Sequence, residues 1–178
     1  MHMLSRTFCA ALSLGCLPSL ATAEGPGLGQ PIDTADIAAW DIDVHPDGSG
    51  LPSGVGTSAE GATIFATKCA LCHGQDGKGG IGPALITTTP VRGVDESTVT
   101  IANYWPYATT LFDYIRHAMP WQKPRSLSDH EVYALTAFLL AQNKIIPASQ
   151  PMNAQTLPKV EMPNRDGFVA RFPDRMPK

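Results

Sequence analysis

The chain lacks the features that define several common classes of protein. Its four cysteines among 178 residues are too few for a disulfide-dense scaffold. Lys and Arg number 13 against 16 Asp and Glu, so no excess of positive charge supports a nucleic-acid partner. Gly and Pro are abundant, at 16 each, but follow no repeat, which excludes a collagen-like structure. With 43% hydrophobic residues, the chain is expected to fold rather than remain disordered.

A long membrane-spanning run is also missing. The apolar stretch from Phe8 to Leu20 is broken by Gly15 and Pro18, and it falls short of the roughly 20 residues needed to cross a bilayer. A basic residue precedes this stretch and small residues follow it, which is typical of a secretory signal peptide. We therefore expect residues 1–23 to be removed by cleavage after Ala23, leaving no transmembrane segment in the mature chain. An uncleaved membrane anchor is the alternative.

The remaining chain divides into three segments of different composition. Residues 24–56 are rich in Gly, Pro and Asp without a sustained period, which predicts an extended acidic arm. Residues 57–146 carry helical patterns and form the predicted domain. Residues 147–178 contain six prolines, which predict an extended tail.

Three helices are predicted within the domain. The first runs from a cap at Ser58 to about residue 70, and the second covers about residues 107–117, with Tyr114 on its apolar side. The third follows the capping box Ser128-Asp-His-Glu131 and carries apolar residues at helical spacing. Because no clear alternating strand pattern is present, the predicted fold class is all-α.

The chemistry is concentrated in Cys69-Ala-Leu-Cys72-His73, because signal-peptide cleavage would leave these two cysteines alone in the mature chain. The spacing Cys-x-x-Cys-His is the attachment signature of a c-type haem, with the histidine as the proximal iron ligand. A thioredoxin-like redox pair, a zinc site and a structural disulfide are the alternatives. Each has weaker support, since no strand precedes the pair, no second cysteine pair remains, and a disulfide across two residues is strained.

A haem iron held by His73 needs a sixth ligand or an open site. Met119 precedes Pro120 at the end of a predicted helix, where its thioether could bind the far side of the haem. His/Met ligation suits electron transfer, whereas an open site would indicate a haem enzyme or a sensor. His117 is the rival ligand, otherwise a solvated residue, and His130 is expected to be exposed. Three other methionines are predicted to pack against the protein: Met152, Met162 and Met176.

These motifs resemble the class I c-type cytochromes over residues 57–146. Gly61 and Phe65 precede the cysteines at the family's spacing, and Leu135-Thr-Ala-Phe-Leu139 is similar to its last helix. The resemblance implies a class I cytochrome c fold around one covalently attached haem, in which these two helices cross closely at the glycine.

The loops on both sides of the haem are part of the same resemblance. In Gly82-Pro-Ala-Leu85, the carbonyl of Pro83 is implied to accept a hydrogen bond from His73, and Leu85 to contact the haem. Ala118-Met-Pro120 resembles the loop of the distal ligand, which implies that Met119 binds iron. Tyr104 and Trp105 are expected to wall the haem pocket, with one polar tip binding a propionate.

A narrower resemblance covers nearly all of the predicted mature chain. Ile37–Val44, Tyr104–Tyr107 and Met162–Phe168 look like segments of the cytochrome subunits of periplasmic sulfur oxidation. This implies a periplasmic electron-transfer protein without catalytic residues of its own. The implied partners are a molybdenum-containing sulfane or sulfite dehydrogenase subunit and a downstream cytochrome or oxidase. The sulfane dehydrogenase cytochrome has a second haem domain, and this chain has one haem motif, so a general electron carrier remains the alternative.

Charge placement suggests where a partner docks. Residues 24–67 contain seven acids and no Lys or Arg. Arg116, Lys123 and Arg125 lie close to Met119 in the sequence and are expected to form a basic rim that steers an acidic redox partner. Ordinary surface solvation is the alternative interpretation of these three cations.

Overall fold

The structure of the protein, a computed structural model, describes residues 29, 31–87 and 99–169. Within these residues, helices dominate, and one two-stranded sheet joins the segments that precede and follow the main helices. The elements in chain order are α1 (Thr34–Trp40), β1 (Val55–Gly56), α2 (Ser58–Lys68), α3 (Ala70–His73), α4 (Ile101–Tyr104), α5 (Ala108–Ala118), α6 (Asp129–Gln142), β2 (Met152–Asn153) and a 3₁₀ turn at Leu157–Lys159. None of the described helices has the length and apolar character needed to cross a bilayer. The predicted signal peptide, its cleavage site and Met176 lie outside the described residues.

The helix beginnings follow from capping boxes in the sequence. At the start of α6, the Ser128 side chain accepts a hydrogen bond from the Glu131 N–H, as predicted. At the start of α2, the corresponding cap is Thr57 and its partner is Glu60. The predicted cap at Ser58 is therefore wrong by one residue, because the hydroxyl of Thr57 already satisfies the free N–H at this end.

Helices α2 and α6 cross at Gly61, which is the close contact that the resemblance implies. A Cβ at this position would lie 2.0 Å from the carbonyl oxygen of Ala134 and 2.6 Å from the Cβ of Phe138. One turn later, the rings of Phe65 and Phe138 pack with their centroids 5.1 Å apart. The missing side chain of Gly61 thus lets the two helix backbones approach and brings the aromatic pair together.

The second long helix, α5, packs its buried side against α6. Phe112 is fully buried, and its ring centroid lies 4.5 Å from that of Tyr133. Leu111 and Ile115 of the same helix are also buried. Tyr114 is exposed instead, so its predicted place on the buried side is wrong. Ala108 is buried as well, so four apolar residues pack this helix without Tyr114.

The two flanks are not the simple extended chains that the sequence predicts. The arm contains α1, which begins with a capping box of Asp33 and Asp36. Strand β1 pairs antiparallel with β2, so the end of the arm and the start of the tail form one sheet. The tail then contributes buried side chains to the core, and they are Met152, Leu157, Val160 and Met162. The expectation that Met152 and Met162 pack against the protein is confirmed.

Long-range hydrogen bonds attach the arm to α5 and α6. The N–H of Val44 donates to a carboxylate oxygen of Asp113 at 2.9 Å, and the hydroxyl of Tyr133 donates to the carbonyl of Pro52 at 2.9 Å. These bonds satisfy backbone groups in a segment that has little secondary structure of its own. The arm therefore follows a defined path along the helical body.

We predict that Gly61→Ala lowers the free energy of unfolding by about 1–3 kcal/mol, because the added methyl has to force two backbones apart. Guanidinium chloride unfolding of the haem-loaded protein measures this loss. Ala66→Ser on the exposed side of the same helix is the control and should change the stability by well under ~1 kcal/mol. Equal stability of the Gly61→Ala variant and the parent would contradict the close crossing.

Candidate functional site

The end of α2 and the whole of α3 bring the two cysteines and His73 together. Cys69 ends α2, where its N–H donates to the carbonyl of Phe65. The N–H groups of Cys72 and His73 then donate back to the carbonyl of Cys69 at 3.1 and 3.0 Å, forming a single tight turn. All three side chains line the same cavity.

The state of the thiols bears on the alternatives for this motif. Neither Cys69 nor Cys72 is in a disulfide. Burial raises the pKa of the Cys69 thiol to about 11, so the thiol stays protonated at neutral pH. A thioredoxin-like pair needs a thiol whose pKa is lowered. The environment of Cys69 therefore disfavours disulfide exchange.

The loop after α3 fixes the ring of His73. Its Nδ1 lies 2.8 Å from the carbonyl oxygen of Pro83, which is the hydrogen bond that the resemblance implies. The N–H of Gly82 donates to the carbonyl of Cys72 at 2.8 Å and folds the loop back against α3. With Nδ1 donating to a carbonyl, Nε2 is left as the metal-ligating atom of this imidazole.

A cavity of about 260 Å³ lies beside this turn and contains the predicted distal ligand. Met119, the residue that ends α5, lines it together with Leu85 and Pro83. Most of the remaining wall is apolar, and it includes Phe65, Ile81, Ile115, Trp121, Leu127, Leu135 and Leu139. An imidazole, a thioether and two thiols in an apolar cavity suit a covalently attached haem with two axial ligands. Zinc fits less well, because no fourth Cys, His or carboxylate lines this cavity among the described residues.

Two predicted site residues are placed elsewhere by the structure. Tyr104 packs edge-on against Phe168 of the tail, and its carbonyl accepts a hydrogen bond from Asn164. Trp105 packs against Tyr114, with ring centroids 5.4 Å apart. Neither is among the described residues that line the cavity. The prediction that these two residues form the pocket wall therefore does not match the structure, in which their rings contact Phe168 of the tail and Tyr114 of α5.

The rival iron ligands also lie outside the cavity. His117 is half-buried between two carboxylates, with Nε2 3.3 Å from Asp43 and Nδ1 3.2 Å from Asp113. It is therefore not the solvated residue that the sequence suggests. His130 is exposed, as expected, and contacts the carbonyl of Val55. Of the described His and Met residues considered as sixth ligands, Met119 alone lines the cavity.

Two of the three cations of the predicted basic rim contact the arm. Arg116 pairs with Asp129 at 3.1 Å and donates to the carbonyl of Ile42 at 3.0 Å. The guanidinium of Arg125 lies 5.0 Å from the ring centre of Trp40. Two of the three cations therefore hold parts of this chain together, and the prediction that all three form a free rim is wrong.

Two exposed residues at the cavity were missed by sequence reasoning. Ile81 and Trp121 are 91% and 80% exposed, yet both line the cavity. Both residues place apolar surface at the mouth of the cavity, where a haem or a partner can contact it. The position of Trp121, two residues after Met119, was the available signal.

The fold and the residues at the cavity define a class I c-type cytochrome. Residues 58–143 match the cytochrome c family, and the chain belongs to it. Membership implies a covalently bound haem c and indicates an electron-transfer role.

Similar proteins connect this cytochrome with sulfur-oxidation enzymes. A chain in the crystal structure of the sulfane dehydrogenase SoxCD from Paracoccus pantotrophus is 36% identical, with a TM-score of 0.75, over 85% of this chain and 75% of that chain. Thiosulfate dehydrogenase from Stutzerimonas stutzeri is 31% identical over 88 residues, which are 49% of this chain and 28% of that protein. The predicted relationship to sulfur-oxidation cytochromes is thereby confirmed.

The chain is also similar to a subunit of a cytochrome c oxidase. Subunit CcoP of the cbb3-type cytochrome c oxidase from Cereibacter sphaeroides is 49% identical over 55 residues, which are 29% of this chain and 19% of that subunit. The chain thus covers less than a third of the length of either curated relative.

We predict that Gly82→Ala raises the reduction potential of the haem protein by an amount on the order of tens of millivolts. The added Cβ would lie 3.0 Å from both Nδ1 and Cε1 of His73, so the ring has to shift, and we expect the shift to weaken its hydrogen bond to Pro83. A weaker bond at Nδ1 makes the imidazole a poorer donor to ferric iron. Redox titration measures the potential. Gln75→Ala, an exposed change in the same loop, is the control, and an equal potential in all three proteins would contradict the proposed role of the bond.

Proposed function

We propose that the protein is a periplasmic single-haem cytochrome that accepts single electrons from a molybdenum-containing sulfane or sulfite dehydrogenase. Thioether bonds to Cys69 and Cys72 would attach the haem, and His73 and Met119 would be its axial ligands. The observation that carries this proposal is that one apolar cavity is lined by all four side chains. A haem bound there supplies the change between ferric and ferrous iron.

The residues around the cavity set the ligand geometry and the reduction potential of a bound haem. The carbonyl of Pro83 fixes the ring of His73 through its hydrogen bond to Nδ1. The apolar wall, including Leu85, keeps water from the cavity, which favours the less charged ferrous state and raises the reduction potential. A thioether from Met119 acts in the same direction. Both effects suit an acceptor of the electrons that are released when a sulfur compound is oxidised.

Support for the dehydrogenase partner comes from the extent of the SoxCD similarity. The predicted haem domain, residues 57–146, is about half of the chain, whereas the match covers 85% of it. The similarity therefore includes parts of the arm and tail. A bare haem carrier has no need of these flanks, so their presence favours a dedicated donor.

A general carrier that delivers electrons to a terminal oxidase is the second candidate. The similarity to CcoP, a subunit of such an oxidase, favours it. A haem enzyme or a sensor has less support, because either needs an open coordination position and Met119 lines the cavity.

We predict that the oxidised protein has a sulfur–iron charge-transfer band and that Met119→Ala abolishes it. Removing the thioether deletes the sulfur ligand and also lowers the reduction potential, because an axial methionine favours ferrous iron. Visible absorption spectra of the two oxidised proteins measure the band. Met162→Leu, which changes a buried methionine outside the cavity, is the matched control and should keep the band. Persistence of the band in Met119→Ala would assign the ligand elsewhere.

The partner is tested by mixing the oxidised cytochrome with a purified sulfane or sulfite dehydrogenase molybdenum subunit and its substrate. We expect substrate-dependent reduction of one haem per chain in stopped-flow absorption. Omission of substrate is the control. Absence of reduction, together with rapid oxidation of the reduced cytochrome by a terminal oxidase, would favour the general carrier.

A further inference from the structure

The arm exposes an apolar helix face that the described chain covers only in part, through Arg125 beside Trp40. Ile32, Ile37 and Trp40 are exposed large hydrophobic residues on and beside α1, and Trp40 is 73% exposed. Residues this large rarely gather on the surface of a short helix unless they contact another molecule. Trp is also the residue type most enriched at the energetic centres of protein interfaces.

The arm that carries this face has an excess of negative charge. Residues 31–67 contain no Lys or Arg, and no ion pair among the described residues joins Asp33, Asp36 or Asp41 to a cation. Asp47 is kept ionised, because hydrogen bonds from Ser49 lower its pKa. An apolar face with acidic edges complements a protein groove with basic edges and is repelled by an anionic lipid surface.

The arm also lies next to the loop that contains the cavity mouth. Arg125 stacks on Trp40, and the same loop carries Trp121 at the mouth. Leu71, between the two cysteines, is exposed as well, as is Ile81. This loop therefore contacts α1 through Arg125 and lines the mouth through Trp121, so one partner can cover both areas.

Contacts between the arm and α5 fix the position of α1 relative to the cavity. Asp43 contacts His117, Val44 donates to Asp113, and Arg116 donates to the carbonyl of Ile42. These contacts fix the chain directly after α1 to the helix that ends at Met119. A partner bound to α1 is thereby held at a set position relative to the haem cavity, which short-range electron transfer requires.

We propose that α1 anchors the donor protein, whose docking surface is an apolar groove edged by Lys and Arg and extends over the cavity mouth. This inference rests on the proposed function, in which the donor is a molybdenum dehydrogenase subunit. Ile37 and Trp40 provide the affinity, and the arm acids accelerate association.

The test compares the full haem-loaded chain with an Ile37→Ser/Trp40→Ser variant and a Val169→Ser control. Val169 is 89% exposed in the tail, so the control removes an exposed apolar side chain away from α1. The probe is a purified sulfane or sulfite dehydrogenase molybdenum subunit. Interferometry measures its binding, and stopped-flow absorption with sulfite measures haem reduction. Thermal unfolding and the haem spectrum establish that each variant is folded.

We expect the double variant to bind about tenfold or more weakly, because an exposed Trp anchor is lost, while Val169→Ser binds as the parent does. Haem reduction in the double variant should recover at saturating concentrations of dehydrogenase. Added NaCl should slow association of the parent, because it screens the arm acids. Asp41→Asn should reduce this salt dependence and leave the haem spectrum unchanged.

Each contrary result has its own meaning. If the parent is not reduced by the dehydrogenase, the proposed function fails. If the parent is reduced and the double variant binds equally well, the function stands and the anchor is overturned. If the parent sediments as a dimer that the double variant abolishes, a second copy of this chain is the occupant of the face. This last result overturns the proposal.

Discussion

The close crossing of α2 and α6 is the contact on which the rest of the molecule depends. Helix α2 ends at the haem-attachment motif, and α6 supplies Leu135 and Leu139 to the opposite wall of the cavity. Because Gly61 has no side chain, these two helices touch through their backbones and their separation is set by hard contact. A pair between Lys68 and Glu131 joins them again at the end near the cysteines. The width of the cavity thus follows from one glycine.

Much of this core could be predicted from local signals. Capping boxes and helical spacing locate α2 and α6 to within a residue or two, because a helix end is decided by hydrogen bonds over four positions. The attachment motif is equally local. The flanks were predicted less well, because chains rich in Gly and Pro have no period to reveal their contacts. Their order depends on distant partners, such as Tyr133 for Pro52 and β2 for β1.

The same limit explains the misplaced aromatic and basic residues. Tyr104 and Trp105 come just before α5 in the sequence, but the tail and Tyr114 supply their actual neighbours. Arg116 looks like a free surface cation until Ile42 and Asp129 are brought beside it by the fold. A charge count along the chain cannot separate a cation that binds a partner from one that binds the protein itself.

The last turn of α5 therefore has two tasks that the sequence does not connect. Its carbonyl end favours positive charge, which Arg116 provides, and both Arg116 and His117 contact the arm. The next residues lead to Met119 at the cavity. An arm attached at this turn stiffens the segment that presents the thioether, because displacing the segment would break the arm contacts as well.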